Sequence, residues 1–330
     1  AEEVARYYGY DKIPNTLPKA STVGGMSFNL ALNRMLRHLA EALGYNESYF
    51  YSFESRKLYE KLLLPKESEE WQQITIANPL GEDFSVMRTS SVPGMLQSLS
   101  LNDRHKNKNA KLFEMAKCYI PKSLPLTELP DERMTLTLGF IGEGDFFSLK
   151  GEIECLLRQC GLQGALRYEA DCEKSYYHPG RKANILYDGN CIGTMGEIHP
   201  DVLKNFELKE RAYIAVLDLE EIYSYAGDYR KYVPVAKFPA VAQDFSLLVP
   251  KNVSAGQVED TIREAAGKHL EKLELFDVYE GEQVVAGFKS LSYNVSLRAK
   301  DHTLSEEEIN KVRGDLLNAL EKIGVKLRDM

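Results

Sequence analysis

Five side chains near the C-terminal end of the chain have types that suit recognition of single-stranded nucleic acid. They combine two carboxylates, a ring, a hydroxyl and a guanidinium: Asp244, Asp277, Tyr279, Ser296 and Arg298. A ring stacks on a base, short polar groups bond to base edges, and a guanidinium contacts phosphate. Composition alone favours the alternative, a polar and solvated surface without a ligand.

These residues lie in a segment that predicts six elements in the order β-α-β-β-α-β, a ferredoxin-like unit. Alternation of apolar and polar residues predicts four strands, at 244–249, 273–279, 290–298 and 325–328. Ser254 and Gln257 form a capping box before the first helix. Glu306 lies in the acidic first turn of the second helix, which Gly324 ends.

The period of two assigns each strand side chain to one face of the sheet. The apolar set is predicted to pack beneath the two helices: Phe245, Leu247, Val249, Phe276, Val278, Leu291, Tyr293, Val295 and Leu297. Asp277 and Tyr279 then point away from the helices. The nucleic-acid hypothesis depends on this orientation, because a covered ring stacks on nothing.

The overall composition is that of a globular protein. The chain has 330 residues, of which 44% are hydrophobic and 27% charged, and this length predicts two or three domains. No apolar run approaches the ~20 residues of a membrane helix. The five cysteines form no Cys-x-x-Cys pair, which favours reduced thiols and a cytoplasmic protein. The chain begins at Ala1 without Met, which suggests part of a longer protein.

The net charge is −8, and residues 237–330 contain 13 Lys and Arg against 16 Asp and Glu. This balance opposes non-specific nucleic-acid binding, which depends on neutralising phosphates. RNA binding by this segment would therefore use few contacts and the help of other surfaces. The basic run at 104–111 is one such candidate, with a solvated loop as the alternative.

Several short motifs in the C-terminal segment occur in a recognisable order. They are Lys237-Phe238-Pro239-Ala240-Val241, Asp244, Phe276-Asp277-Val278-Tyr279-Glu280-Gly281, Asp301-His302-Thr303-Leu304 and Leu327-Arg328. This series resembles the ferredoxin-fold anticodon-binding domain of bacterial phenylalanyl-tRNA synthetase β subunits. That family usually has Arg before the aspartate of the first strand, where this chain has Gln243.

The preceding residues resemble the class II synthetase-like core of the same subunit. The matching motifs are Asn78-Pro79-Leu80, Met87-Arg88-Thr89-Ser90, Leu112-Phe113-Glu114, Tyr177-His178-Pro179-Gly180 and Gly196-Glu197-Ile198-His199. The resemblance implies an α+β chain in three parts. Residues 1–19 end a preceding small domain, 20–235 form the core with its antiparallel sheet, and 236–330 form the anticodon-binding domain.

The core lacks the residues that active class II enzymes use on ATP. Those enzymes place an Arg shortly before the glutamate of the second motif and another after a glycine-rich strand. Here Glu114 follows Leu112 and Phe113, and residues 215–220 contain neither a glycine pair nor an arginine. Arg88 is the best remaining candidate for a cation that contacts ATP, but an arginine in a motif-like turn is typical of a structural ion pair. His178 and His199 are expected to anchor loops. No catalytic residue is predicted.

The resemblance also implies partners and cofactors. The parent complex is an α2β2 tetramer that joins phenylalanine to tRNA-Phe with ATP and Mg²⁺, and the chemistry belongs to the α subunit. A magnesium site shared with that subunit uses glutamates matching Glu2 and Glu3. Its further aspartates would precede Ala1, so this chain is expected to bind neither Mg²⁺ nor ATP by itself.

Two other function classes stay open at this point. One is a stand-alone module that senses a small molecule in a pocket lined by Phe238 and Tyr279. The other is an independent class II-like paralogue that has lost tRNA charging. ATP binding by this chain alone would favour the paralogue.

Overall fold

The structure is a computed structural model that describes residues 1–19, 21, 23–162, 164, 166–227, 232, 234–281 and 284–328. Ala20, the predicted first residue of the core, lies outside the described residues. No helix in the described part is long and apolar enough to cross a membrane. The chain divides into two compact units: Ala1–Gln163 with Asp171–Ala183 and Ile192–Gly227, and Gly164–Ala170 with Asn184–Cys191 and Asp228–Met330. The predicted boundaries at 19/20 and 235/236 stay predictions.

The described residues before position 226 form seven α-helices and nine strands. The helices are α1 Glu2–Tyr8, α2 Phe28–Ala42, α3 Arg56–Glu60, α4 Val92–Arg104, α5 Phe146–Gln159, α6 Pro200–Asn205 and α7 Leu219–Tyr225. The strands are β1 Asn46–Glu47, β2 Phe53–Glu54, β3 Val86–Met87, β4 Lys111–Ile120, β5 Asp131–Ile141, β6 Leu166–Glu169, β7 Tyr177–Tyr187, β8 Asn190–Ile198 and β9 Ala212–Asp218. Ser27 caps α2 by accepting from the backbone N–H of Leu30.

Seven of these strands form one sheet in the order β1-β4-β5-β9-β8-β7-β6. The pairs β4–β5, β5–β9, β8–β9 and β6–β7 are antiparallel, and β1 pairs with β4 in parallel. Strands β2 and β3 make a separate two-stranded sheet. The predicted antiparallel core is thereby confirmed.

Both faces of the large sheet are covered where β5 crosses it. A Cβ added at Gly139 would lie 2.7 Å from Met95 Cγ, so α4 packs directly on the backbone. The next residue, Phe140, points to the other face and lies against Gly144 just before α5. Met95 and Leu99 are fully buried. Apolar side chains of α4 therefore fill the space over this strand.

The second unit contains the predicted β-α-β-β-α-β order. Its elements are β10 Val241–Pro250, α8 Ala255–Ala266, β11 Leu270–Tyr279, β12 Phe288–Leu297, α9 Glu306–Lys322 and β13 Lys326–Leu327. The sheet order is β11-β12-β10-β13. Residues of α8 and α9 such as Ile262 and Leu316 are buried with Leu247, Leu291 and Tyr293 of the strands. The ferredoxin-like fold is confirmed.

The predicted burial of Phe276 and Val278 is wrong. Leu275 pairs with Tyr293 and Asp277 with Ser292, so the register shifts at Phe276. A β-bulge here inserts an extra residue and breaks the period of two. Phe276 is 56% exposed instead of buried beneath a helix.

Val278 returns to the register of the helix-covered face but lies near the end of its strand. It pairs with Leu291 and is nevertheless exposed. The residues of β11 that do pack on the core are Leu270, Leu273 and Leu275. The apolar residues predicted for β10 and β12 are buried as expected.

Candidate nucleic-acid interface

The candidate interface is the face of the second unit's sheet that points away from α8 and α9. Residues directly opposite each other in antiparallel strands share a face. Asp277 is opposite Ser292 and Tyr279 is opposite Ser290, while the intervening Leu291 belongs to the core. The predicted outward orientation of Asp277 and Tyr279 is confirmed.

Tyr279 is held on this face by two neighbours. The guanidinium carbon of Arg328 lies 5.9 Å from the ring centroid. A Cβ added at Gly281 would lie 2.5 Å from the Tyr279 hydroxyl, so glycine allows the backbone to pass close to the ring. The side chain keeps 36% of its surface exposed. The ring is thus positioned by the protein and still accessible to a base.

The carboxylates on this face differ in their environments. Asp244 accepts a 2.7 Å hydrogen bond from the amide of Asn294, its partner across the strand pair. Asp277 is exposed next to the bulge residue Phe276. Asp277 is therefore the carboxylate nearer to Tyr279 and the one more open to a ligand.

Ser296 and Arg298 lie toward the other end of β12. Eight residues separate Ser290 from Arg298, which corresponds to roughly 25 Å along a strand. The Ser296 hydroxyl donates to Asn294 Oδ1 at 3.4 Å. The guanidinium of Arg298 donates to Glu271 at 2.8 Å and to the Phe238 carbonyl.

The predicted residues therefore do not form one cluster. Asp277 and Tyr279 lie together, Asp244 occupies the middle of the face, and Ser296 and Arg298 lie at the far end. The position of a residue on this face does not test whether it binds RNA, so the RNA-binding role of all five residues stays a prediction.

Arg328 is a residue of this face that the sequence reasoning did not assign. Its backbone N–H donates to the Ser246 carbonyl at 2.8 Å, which brings the chain onto the sheet next to β10. Its guanidinium reaches the Ser290 hydroxyl at 3.4 Å and the ring of Tyr279. The signal was present in the terminal Leu327-Arg328 motif. The sequence pattern could not show that Arg328, and not Arg298, lies beside Tyr279.

The two N-terminal glutamates do not amount to a metal site within the described residues. Glu3 accepts from Arg6 Nη2 at 2.6 Å and from Nε at 3.0 Å. No group of three or more His, Cys, Asp or Glu side chains suited to a metal occurs among the described residues. Magnesium prefers six oxygen ligands in octahedral geometry, so Glu2 and Glu3 alone do not fit the ion.

In the first unit, Arg88 is the structural ion-pair partner that the sequence suggested. The residue is 2% exposed. Its Nη1 donates to both carboxylate oxygens of Glu114, at 2.9 and 3.0 Å, and its Nε donates to the Lys117 carbonyl at 2.7 Å. Glu114 also accepts from the backbone N–H of Phe50. This guanidinium has no free surface for an ATP phosphate.

Glu54 is a second buried carboxylate beside this pair, and sequence reasoning did not find it. It is 6% exposed, and its Oε2 is buried without a hydrogen-bond partner. Burial raises the pKa of Glu54 from 4.5 to about 7, although the charge of Arg88 and a hydrogen bond from Tyr59 act in the opposite direction. Glu114 adds to the increase by repulsion.

The remaining candidates have structural contacts. His178 Nδ1 accepts from the Gly180 N–H at 3.1 Å, and His199 Nδ1 accepts from the Asp201 N–H at 3.2 Å, where it caps α6. His178 and Gly180 both lie in β7, so that contact is local to the strand, and the loop-anchoring role of the two histidines stays a prediction. In the basic run, Lys108 contacts Asp103 at 2.5 Å and Glu210 at 3.3 Å.

Comparison with known proteins identifies both parts of the chain. The model of the phenylalanyl tRNA synthetase beta chain CLM domain matches residues 13–219. The model of the ferredoxin-fold anticodon binding domain matches residues 236–328.

Two clostridial proteins resemble the chain along nearly its whole length. The phenylalanine–tRNA ligase beta subunit of Clostridium acetobutylicum is 41% identical over 330 residues, covering 99% of this chain and 41% of that protein. The beta subunit from Clostridium tetani is 40% identical, covering 99% and 42%. The chain thus spans about two fifths of the length of these curated relatives.

A solved structure supports the predicted class of fold. The crystal structure of pyrrolysyl-tRNA synthetase from Desulfitobacterium hafniense matches with a TM-score of 0.50 at 15% identity, covering 60% of this chain and 69% of that one. This likeness concerns the fold alone. The two family models match consecutive parts of the chain, and the first covers more than half of it. The chain belongs to the family of phenylalanyl-tRNA synthetase beta chains.

Proposed function

We propose that this chain is a non-catalytic part of a phenylalanine–tRNA ligase, which docks the catalytic α subunit and binds the anticodon of tRNA-Phe. Family membership supports the assignment to the ligase. The observation that carries the RNA-binding part is the exposed ring of Tyr279, held beside Asp277 and Arg328 on a sheet face without helices.

In this proposal the three residues have different tasks. Tyr279 stacks on an anticodon base, and Asp277 accepts from donors on a base edge. Arg328 contacts phosphate, a group that the planar guanidinium binds well. Asp244, Ser296 and Arg298 extend the contact along the sheet toward neighbouring nucleotides.

We also propose that the chemistry of the ligase belongs to the α subunit in an α2β2 complex in the cytoplasm. ATP and Mg²⁺ would bind to the complex and supply adenylate formation there. The buried state of Arg88 and the filled face at Gly139 support a core without ATP chemistry. A magnesium site that includes Glu2 and Glu3 would need further oxygen ligands from outside the described residues.

The direct test is to co-express this chain with the α subunit and to measure what the purified complex binds. We expect co-purification and saturable binding of tRNA-Phe. Binding of ATP by this chain alone would support the class II-like paralogue instead. Tight binding of a metabolite by this chain would support the sensor, although not in the predicted pocket, because Phe238 contacts Arg298 at the end of the face opposite to Tyr279.

Replacing Tyr279 with alanine is expected to weaken tRNA-Phe binding by about 1–3 kcal/mol, because a base–aromatic stack has this value. The measurement is a filter-binding or fluorescence titration of the complex at fixed salt. Tyr279→Phe is the matched control, since it keeps the ring and should retain the affinity. Equal affinities for Tyr279→Ala and the unmodified chain would rule out stacking on this residue.

Arg328→Ala and Arg298→Ala form a matched pair of arginine variants. We expect Arg328→Ala to lower the affinity and to reduce the slope of log affinity against log salt by about 1, as for one lost phosphate contact. Arg298→Ala should change both less, because Glu271 and the Phe238 carbonyl already hold its guanidinium. The reverse order would assign the phosphate contact to Arg298.

A further inference from the structure

An aromatic pocket opens on the surface of the first unit above the buried ion pair. Its volume is about 570 Å³, and the segment that joins β1 to α3 supplies six of its fourteen lining residues. The aromatic residues that line it are Tyr49, Phe50, Tyr51, Phe53 and Phe84. Tyr51 stacks on Phe53 with centroids 5.5 Å apart, and Phe84 meets Tyr51 edge-on at 5.6 Å.

Glu54 is part of the wall of this pocket. Gly94 of α4 lies against it, since a Cβ there would be 3.2 Å from Glu54 Oε1 and 3.0 Å from the ring of Phe50. The absence of a side chain at Gly94 thus preserves the space beside the carboxylate. A buried carboxylate and a group of rings around one opening are the surroundings that a cation prefers.

The charges beneath the pocket are not balanced. Glu54 and Glu114 are both buried, and the single guanidinium of Arg88 lies next to them and bonds to Glu114. The two lysines of the pocket wall have other contacts: Lys57 pairs with Glu82 at 2.9 Å, and Lys61 lies 5.3 Å from the ring centroid of Phe206. When Glu54 is ionised, this local group therefore has one positive charge too few, and a buried unpaired carboxylate is unfavourable.

The exposed residues at the rim of the pocket indicate that the missing positive charge comes from a protein and not from a small molecule. Tyr49 is 79% exposed and Tyr51 is also exposed, so two large rings lie in the open around the entrance. Exposed tyrosines around a pocket are typical of the central residues of protein interfaces. Pockets for small molecules usually enclose most of their ligand.

We propose that the Glu54 pocket receives a guanidinium or ammonium side chain of the catalytic α subunit. The inserted cation pairs with Glu54, its stem packs on Phe50 and Phe53, and Tyr49 and Tyr51 cover it. This inference rests on the proposed function, because it names the contact through which the two subunits dock.

The test compares Glu54→Gln with Glu82→Gln in the full chain, titrated with the purified α subunit. Both variants remove one carboxylate near the pocket, but Glu82 is exposed and paired with Lys57. Losing one partner of a buried charge pair at an interface weakens binding roughly thirtyfold or more. We expect this loss for Glu54→Gln and less than about threefold for Glu82→Gln.

Thermal unfolding of the free chain and a small cationic probe distinguish this contact from a structural role of Glu54 and from a small-molecule site. The inference requires Glu54→Gln to be at least as stable as the unmodified chain. If stability and α-subunit affinity both fall in this variant, Glu54 has a structural role and the inference is wrong. Methylguanidinium that binds the free chain tightly, with α-subunit affinity equal in all variants, would reassign the pocket to a small molecule.

The outcomes also separate this inference from the proposed function. If the unmodified chain does not bind the α subunit, the proposed docking function fails, and this contact fails with it. If the unmodified chain and Glu54→Gln bind the α subunit equally well, only the contact at Glu54 is wrong.

Discussion

Replacing Arg88 with methionine is expected to destabilise the first unit by about 3–5 kcal/mol, the range for removing one partner of a buried ion pair. Three acceptors lose the guanidinium as a donor at once: the two carboxylate oxygens of Glu114, one of which keeps the Phe50 N–H, and the carbonyl of Lys117. Glu54 also loses its nearest favourable charge. This is a large part of the stability of a typical domain.

Urea unfolding followed by tryptophan fluorescence measures this change. The chain has one tryptophan, Trp71, whose ring centroid lies 6.4 Å from that of buried Tyr59 in the first unit. The emission therefore reports on this unit. The control is Lys57→Ala, which removes an exposed ion pair and should leave the urea midpoint nearly unchanged.

The double variant Arg88→Met with Glu114→Leu distinguishes an ion-pair effect from a general packing defect. Replacing both members of a buried pair by apolar residues is often neutral or even stabilising. We therefore expect the double variant to recover much of the stability lost in Arg88→Met. A double variant less stable than the single one would mean that packing around Arg88, and not its charge, holds this part of the unit together.

Glu54→Gln is expected to stabilise the first unit by about 3 kcal/mol at pH 8. The pKa of Glu54 is raised from 4.5 to about 7 by burial. Between these two values the folded chain keeps the proton and the unfolded chain has lost it, so the free energy of unfolding falls as the pH rises. The fall is complete above about pH 7, and each pKa unit corresponds to about 1.4 kcal/mol.

The measurement is urea unfolding of both proteins at several pH values from 4 to 8, again with Trp71 as reporter. At pH 4 the carboxyl group is neutral in the folded state, so the variant and the unmodified chain should differ little. The stabilisation should grow from pH 4.5 to 7 and then remain constant. A variant that is destabilised at every pH would show that Glu54 is a satisfied structural carboxylate, and this outcome would also contradict the docking contact.

The local pattern of residues was sufficient for the elements of the second unit. In strands β10 and β12, apolar and polar residues alternate regularly. The apolar residues Phe245, Leu291 and Tyr293 are buried as predicted. The capping boxes at Ser254 and Ser305 occur at the starts of α8 and α9. These features depend on residues within a few positions of each other, and short-range periodicity and capping chemistry describe such contacts well.

Motif order was equally informative about the family. The motifs around Glu114 and at residues 215–220 lack the arginines of active class II enzymes, and Arg88 is indeed committed to an ion pair. Its partner, however, lies 26 residues away in the chain, and Glu54 was not suspected at all. The environment of a buried charge is set by the strands around it. A single sequence does not show which distant residues these strands bring together.

Tertiary structure alone decided the composition of the candidate RNA-binding face. The bulge at Phe276 reverses the expected burial of that ring, since one extra residue breaks the period of two. The pairing of β13 with β10 brings Arg328 beside Tyr279, while Glu271 holds Arg298. The sequence by itself determined the strands, the helices and the family. Strand register and sheet order determined which side chains meet, because these arise from pairings between residues far apart in the chain.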